Sequence, residues 1–203
     1  MKNHITIKTN MIMCVICRTK NIKELEGREE INCSSCLNLT TIPYIKGLTK
    51  LDCSSCPKIK GLKKIDCSHC PNITVIPNIK GLKKLKCSSS RNITTIPNIK
   101  GLKELDCSYS NITVIPNIKG LKNLYCHTCP NLTTILNIKG LELLRCSDNK
   151  SLKNILVTNL KQLDCSYCPQ IIFIPNIKGL EILSCNNCPQ LIFIPSIKGL
   201  KEL

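Results

Sequence analysis

Apolar residues recur along this 203-residue chain at fixed offsets. In the segment x-Leu51-x-Cys53-x the apolar and polar positions alternate, the period of a half-buried strand. Leu48, Leu51, Cys53 and Ile59, with Ile42 and Ile45 before them, exemplify the inward set. Between strands, a Thr-x-Ile-Pro-x-Ile step leads into Lys-Gly-Leu. Pro lacks a backbone donor and resists helix, so the return segments are expected to be extended or single 3₁₀ turns. The isolated Gly predicts a tight turn before the next strand.

The pattern repeats. Lys-Gly-Leu begins at Lys46, Lys60, Lys80, Lys100, Lys119, Lys139, Lys178 and Lys198. Cysteines of one register fall at Cys33, Cys53, Cys67, Cys87, Cys107, Cys126, Cys146, Cys165 and Cys185, spaced by 19 or 20 residues except for one step of 14. Nine units occupy 31–202. A worn copy over 12–30 keeps Cys14, Cys17, Ile22, Leu25 and Gly27, so one repeat array is expected over 12–203, after an N-terminal segment at 1–11. The unit at 51–64 is short, and its missing return stretch predicts a kink or a pinched coil.

Written from the Leu after Gly, a unit reads Leu48-x-x-Leu51-x-Cys53-x-x-Cys56-x-x-Ile59. This resembles the leucine-rich repeat, and its Cys-, Lys-, Asn- and Ile-rich form resembles the leucine-rich-repeat proteins of giant DNA viruses. The resemblance implies a mainly β solenoid shaped as a horseshoe, with a short parallel strand per repeat on its concave face and the return segments on its convex face. It also implies a non-catalytic protein-interaction scaffold.

Seventeen cysteines change the chemistry to be considered. Cys53-x2-Cys56 and Cys67-x2-Cys70 have the spacing of a four-thiolate zinc site. Against this, the second Cys of the pair is replaced by Ser90, Ser110 and Asn149 in other units, exchanges a metal ligand does not tolerate. Buried, reduced, structural thiols are therefore the expectation, with zinc as an alternative and no cofactor. No cleavable export leader is read near the start, which points to a reducing, cytoplasmic location, the host's cytoplasm if the chain is viral. No apolar run is long enough to span a bilayer.

The net charge of +16 comes from 25 Lys and four Arg against 13 acids. A high Lys, Ile and Asn content with no Ala matches an AT-rich coding sequence, which weakens a functional reading of the charge. Nine cations stand between 58 and 91 with one anion, Asp66: Lys58, Lys60, Lys63, Lys64, Lys80, Lys83, Lys84, Lys86 and Arg91. They are the candidate surface for a polyanion, either nucleic acid or an acidic membrane. Arg is scarce and interleaved aromatics are absent, which favours a solvated face.

Variation concentrates at the outward strand positions. Tyr109, Tyr125, His127, Arg145 and Asp148 fall in three consecutive units and are the candidate partner-binding patch. No nucleophile and base pair, and no phosphate loop, is recognisable, so an enzyme is not expected. The sequence stops at the start of a further unit, so self-association through the last strand edge is a further expectation.

Overall fold

The computed structural model describes residues 14–28, 30–33, 50–52, 63–68, 75, 76, 78, 79 and 81–202. Eleven short strands run through them: β1 (Glu30–Asn32), β2 (Lys50–Asp52), β3 (Lys64–Asp66), β4 (Lys84–Lys86), β5 (Glu104–Asp106), β6 (Asn123–Tyr125), β7 (Thr134–Ile135), β8 (Leu143–Arg145), β9 (Asn154–Ile155), β10 (Gln162–Asp164) and β11 (Ile182–Ser184). Seven of these form one sheet in the order β3-β4-β5-β6-β8-β10-β11. Every pairing is parallel, and the register steps by one repeat: Leu85, Leu105, Leu124, Leu144, Leu163 and Leu183 are successive partners. The molecule is a mainly β parallel solenoid.

Each turn follows from its sequence. The strand's central Leu and the Cys after it point inward, while the residues on either side of the Leu stay partly or fully exposed. The Ile-Pro-x-Ile step adds Ile96 and Ile99 to the same core, which stacks like on like along the axis. Close packing of such columns needs no Ala, because every layer has the same shape. The turn then closes by a hydrogen bond from Leu102 N to Ile99 O at 3.2 Å. Its third residue, Gly101, has φ 86°, a conformation that favours glycine.

One turn lacks that Gly, and the chain finds another solution. At 157–160 the sequence is Val-Thr-Asn-Leu. Leu160 N reaches Lys178 O in the following turn at 3.4 Å, and Asn159 bridges Lys178. Inter-turn pairing thus replaces the tight turn. The return side is otherwise extended, with a second narrow ladder from β7 to β9 and bridges at Thr95–Val114 and Phe173–Phe193.

Two regions depart from the regular array. In the worn first copy, Cys14 caps a one-turn helix, α1 (Val15–Arg18), and a 3₁₀ turn follows at Ile22–Leu25, capped by the Asn21 side chain. Leu25 is nonetheless buried and Gly27 keeps φ 81°, as in the full repeats. The second departure is at the short unit. β1 pairs with β2 in a separate two-stranded sheet, and among the described residues no ladder joins β2 to β3. The stretch between them, like the segment 1–11, lies outside the described residues. At the other end, Glu202 bridges Ile182 and extends the ladder by one residue, and Leu203 is outside the description.

Candidate functional site

The strand face of the middle turns brings together all five residues that sequence variation singles out. Asp106, Tyr125 and Arg145 are consecutive partners across β5, β6 and β8, so Tyr125 is flanked directly by an acid and a base. Past the strand, the backbone of each turn continues the ladder for two more residues. Tyr109 N donates to His127 O at 2.9 Å, Thr128 N to Ser147 O at 3.0 Å and Asp148 N to Ser166 O at 2.9 Å. These bonds carry Tyr109, Thr128 and Asp148 as a row beside the strand row. The rings of Tyr109 and His127 meet edge to face, with centroids 5.0 Å apart and planes at 85°.

The row has an unusual backbone. Ser89, Tyr109, Thr128, Asp148, Tyr167 and Asn187 all have φ between 53° and 58°. Asn and Asp tolerate this region, while a bulky side chain pays for it with steric strain of about 1–2 kcal/mol. Tyr109 sits there with 48% of its surface exposed. Tyr167 repeats the arrangement three turns later, half exposed, in the same column of the repeat. Its left-handed backbone is what the spacing of that column does not show.

Beneath the patch lies the cysteine system. The first Cys of each unit packs in the core. The second position reaches back to the carbonyl of the preceding turn's first Cys. Cys129 Sγ donates to Cys107 O at 3.3 Å, Cys168 Sγ to Cys146 O at 3.2 Å and Cys188 Sγ to Cys165 O at 3.2 Å. Ser90 Oγ does the same to Cys67 O at 3.0 Å. Asn149 donates to Cys126 O at 2.9 Å and to its own turn's Cys146 O at 2.7 Å, and accepts from Cys129 N at 2.7 Å. Ser110 turns to the Cys107 carbonyl of its own turn. What the position requires is a buried donor, and thiol, hydroxyl and amide all provide one.

The thiols differ: the hydrogen bond with Cys107 lowers the Cys129 thiol to about 7 against its burial, whereas the core thiols are raised. Burial pushes the Cys87, Cys126 and Cys146 thiols far above the ordinary range, and Cys168 up to about 12. Cys107 is raised as well, first by its hydrogen bond to the Cys129 sulfur and then by burial. Cys87, Cys107, Cys126, Cys129, Cys146, Cys165, Cys168, Cys185 and Cys188 are free thiols. Of the zinc candidates, Cys67 is buried and its Sγ donates to Lys86 O at 3.4 Å, while Cys53, Cys56 and Cys70 lie outside the described residues. Among the described residues, no group of three His, Cys, Asp or Glu stands close enough to hold a metal ion.

The candidate polyanion surface divides. Lys58, Lys60 and Lys80 lie outside the described residues. Lys84 pairs with Glu104 at 2.5 Å, and that carboxylate raises its pKa. Lys86 is in register between Asp66 and Asp106. Lys83 Nζ donates to Gly101 O at 3.2 Å, bracing the next turn. Arg91 is exposed, and Lys64 is the ladder partner of Lys84. The Lys63 carbonyl accepts from both Lys83 N and Lys84 N at 2.9 Å.

No family model matches the chain, and no curated protein is significantly similar to it. Among the described residues, no helix is long and apolar enough to cross a membrane.

Proposed function

We propose that the protein is a leucine-rich-repeat solenoid that works as a non-catalytic scaffold for protein–protein interaction in a reducing compartment, the cytoplasm. The binding face is the strand face of the middle turns, with Tyr109, Tyr125, His127, Arg145 and Asp148 as its centre. The observation that carries the reading is Tyr109. A bulky, half-exposed tyrosine occupies a left-handed position where Asn stands without strain at Asn187. Such cost persists where a side chain is needed for something other than the fold. Around it stand a histidine ring, a second tyrosine, a cation and an anion, the composition of an interface hot spot. The ladder holds them in place, so little ordering entropy is lost on binding.

The leucine-rich-repeat assignment rests on the match between motif and geometry. One strand per unit of about 20 residues, a buried Leu-x-Cys pair and a side-chain donor at the second Cys position support this reading. The reducing location rests on the core thiols Cys87, Cys107, Cys126 and Cys146, which are buried and free.

Polyanion binding is the weaker reading, because Lys83 and Lys84 are engaged within the protein and Lys86 stands in register between Asp66 and Asp106. One experiment separates the two. Partners are captured from the native cell with the intact chain and with the double variant Tyr109→Ala, Tyr125→Ala. A protein partner whose capture is insensitive to salt and falls at least about tenfold in the variant is the expected result. Capture of nucleic acid with a steep salt dependence, unchanged in the tyrosine variant and lost on neutralising Lys63, Lys64 and Arg91, would overturn it.

A further inference from the structure

The return side of the C-terminal turns carries a second surface that the strand-face reading does not use. In the middle turns the two residues before the buried Ile are Thr94 and Thr95, Thr113 and Val114, or Thr133 and Thr134. In the last two turns the same positions hold Ile172 and Phe173, then Ile192 and Phe193. These are the only two Phe of the chain. They are bridge partners on adjacent turns, and Ile192 N donates to Ile172 O at 3.0 Å, so the four side chains form one patch. Their exposures are 49%, 50%, 83% and 62% for Ile172, Phe173, Ile192 and Phe193. Leu136 and Leu156, partly exposed on the two preceding turns, extend the apolar strip.

We propose that this face docks against the same face of a second copy of the chain, in a two-fold symmetric dimer. Two arguments select that occupant. The first is charge. Residues 1–163 hold the entire excess of +16, and residues 164–203 are neutral, with three cations and three acids. Two copies repel each other wherever their basic turns meet. The apolar face lies on the neutral turns, so contact there keeps the basic turns of the two copies apart. Salt screens what repulsion remains over about 8–10 Å. The second argument is area. Half or more of four large side chains amounts to roughly 400–500 Å² of apolar surface per copy. Two such faces reach about 1,000 Å², the threshold for a specific though weak interface, and the flanking leucines and prolines add a rim. A two-fold axis makes the patch its own complement, with Phe173 and Phe193 of each copy available to pack against the other pair.

The test uses the full chain under reducing conditions, which excludes disulfide-linked species. Sedimentation equilibrium is run up to on the order of 100 µM, where an interface of this size associates measurably. The expected mass rises with concentration from 22.7 kDa towards twice that value. Association should tighten as salt is raised, because screening removes repulsion and leaves the apolar contact. In the variant Ile172→Thr, Phe173→Thr, Ile192→Thr, Phe193→Thr, association should weaken at least about tenfold. Thr stands at these positions in other turns, so the variant should unfold at the same temperature as the parent. A chain that stays monomeric at every salt concentration would overturn the proposal. So would a variant that dimerises like the parent, or a monomeric chain that binds phosphatidylcholine vesicles and loses them in the variant.

Discussion

The middle turns around β4 to β6 and the last turns around β10 and β11 are built on the same frame but dressed differently. Both stack Leu on Leu and Cys on Cys in a parallel ladder. In the middle, the Lys after each Lys-Gly-Leu repeats without change: Lys83 and Lys103 each brace the Gly carbonyl of the next turn, at 3.2 Å. Further on, the same row alternates in sign. Lys122 pairs with Glu142, Glu142 lies 3.9 Å from Lys161, and Glu181 pairs with Lys201 at 2.6 Å. The neighbouring lysines hold the Glu142 and Glu181 carboxyls below the usual range. The difference teaches that the frame does not dictate the surface. One frame carries a basic region with an aromatic strand face and a neutral region with an apolar return face.

The sharpest way to break what the two regions share is alkali. The buried thiols titrate well above their unfolded range, so above about pH 8.5 the unfolded chain gives up protons that the folded chain retains. Stability is therefore full below that pH and falls as pH rises, by about 1.4 kcal/mol per pH unit for each buried thiol. Cys87, Cys126 and Cys146 should all contribute to that loss, and denaturant titrations at pH 8, 9 and 10 should show stability falling progressively. A flat profile over that range would contradict the buried thiol ladder.

Next in size is a core truncation. Leu124→Ala removes a fully buried rung between Leu105 and Leu144 and should cost about 2–5 kcal/mol in thermal or urea unfolding. A smaller loss, below 1 kcal/mol, would mean that the columns collapse around a gap.

The donor position sharpens the comparison directly. Cys129→Val removes one of two side-chain donors to the Cys107 carbonyl, the other being Ser110 Oγ, and should cost about 0.5–1.5 kcal/mol, whereas Cys129→Ser keeps a donor and should cost less. The equivalent Cys188 is only partly buried, so Cys188→Val should cost less than Cys129→Val. Equal losses at both sites would remove the distinction between middle and end.

Much of this was legible before any coordinates. The 20-residue period, the inward Leu and Cys and the Gly turns follow from spacing, because a stacked array repeats its physics with its sequence. Exchange of Cys for Ser90, Ser110 and Asn149 already argues for a donor over a metal ligand. Other features resist that reasoning. The helix at Val15–Arg18 stands where the full repeats make an irregular turn after the strand, in a copy whose Leu25 and Gly27 still conform. Pairing through Asn159 replaces a Gly turn because the neighbouring turn offers the Lys178 carbonyl, a partner distant in sequence. Left-handed tyrosines are invisible to a hydrophobic pattern. So is the Phe173–Phe193 patch, since an Ile-Phe-Ile run reads as core when only its last residue is buried.

The smallest expected effect concerns the surface charge. Glu142→Lys would extend the unvaried middle row into the alternating one. It should lower the melting temperature slightly at low salt and not at all at high salt, because these exposed pairs are screened. A loss that persists in high salt would show that Glu142 does more than balance charge.

The direction of the side-chain donors has a consequence in time. Cys129, Asn149, Cys168 and Cys188 each reach from a later turn to a carbonyl in the one before it. During synthesis, the carbonyls of Cys126 and Cys165 therefore lack their side-chain donor until the next twenty or so residues have emerged. Those of Cys107 and Cys146 already have one from their own turn, in Ser110 and Asn149.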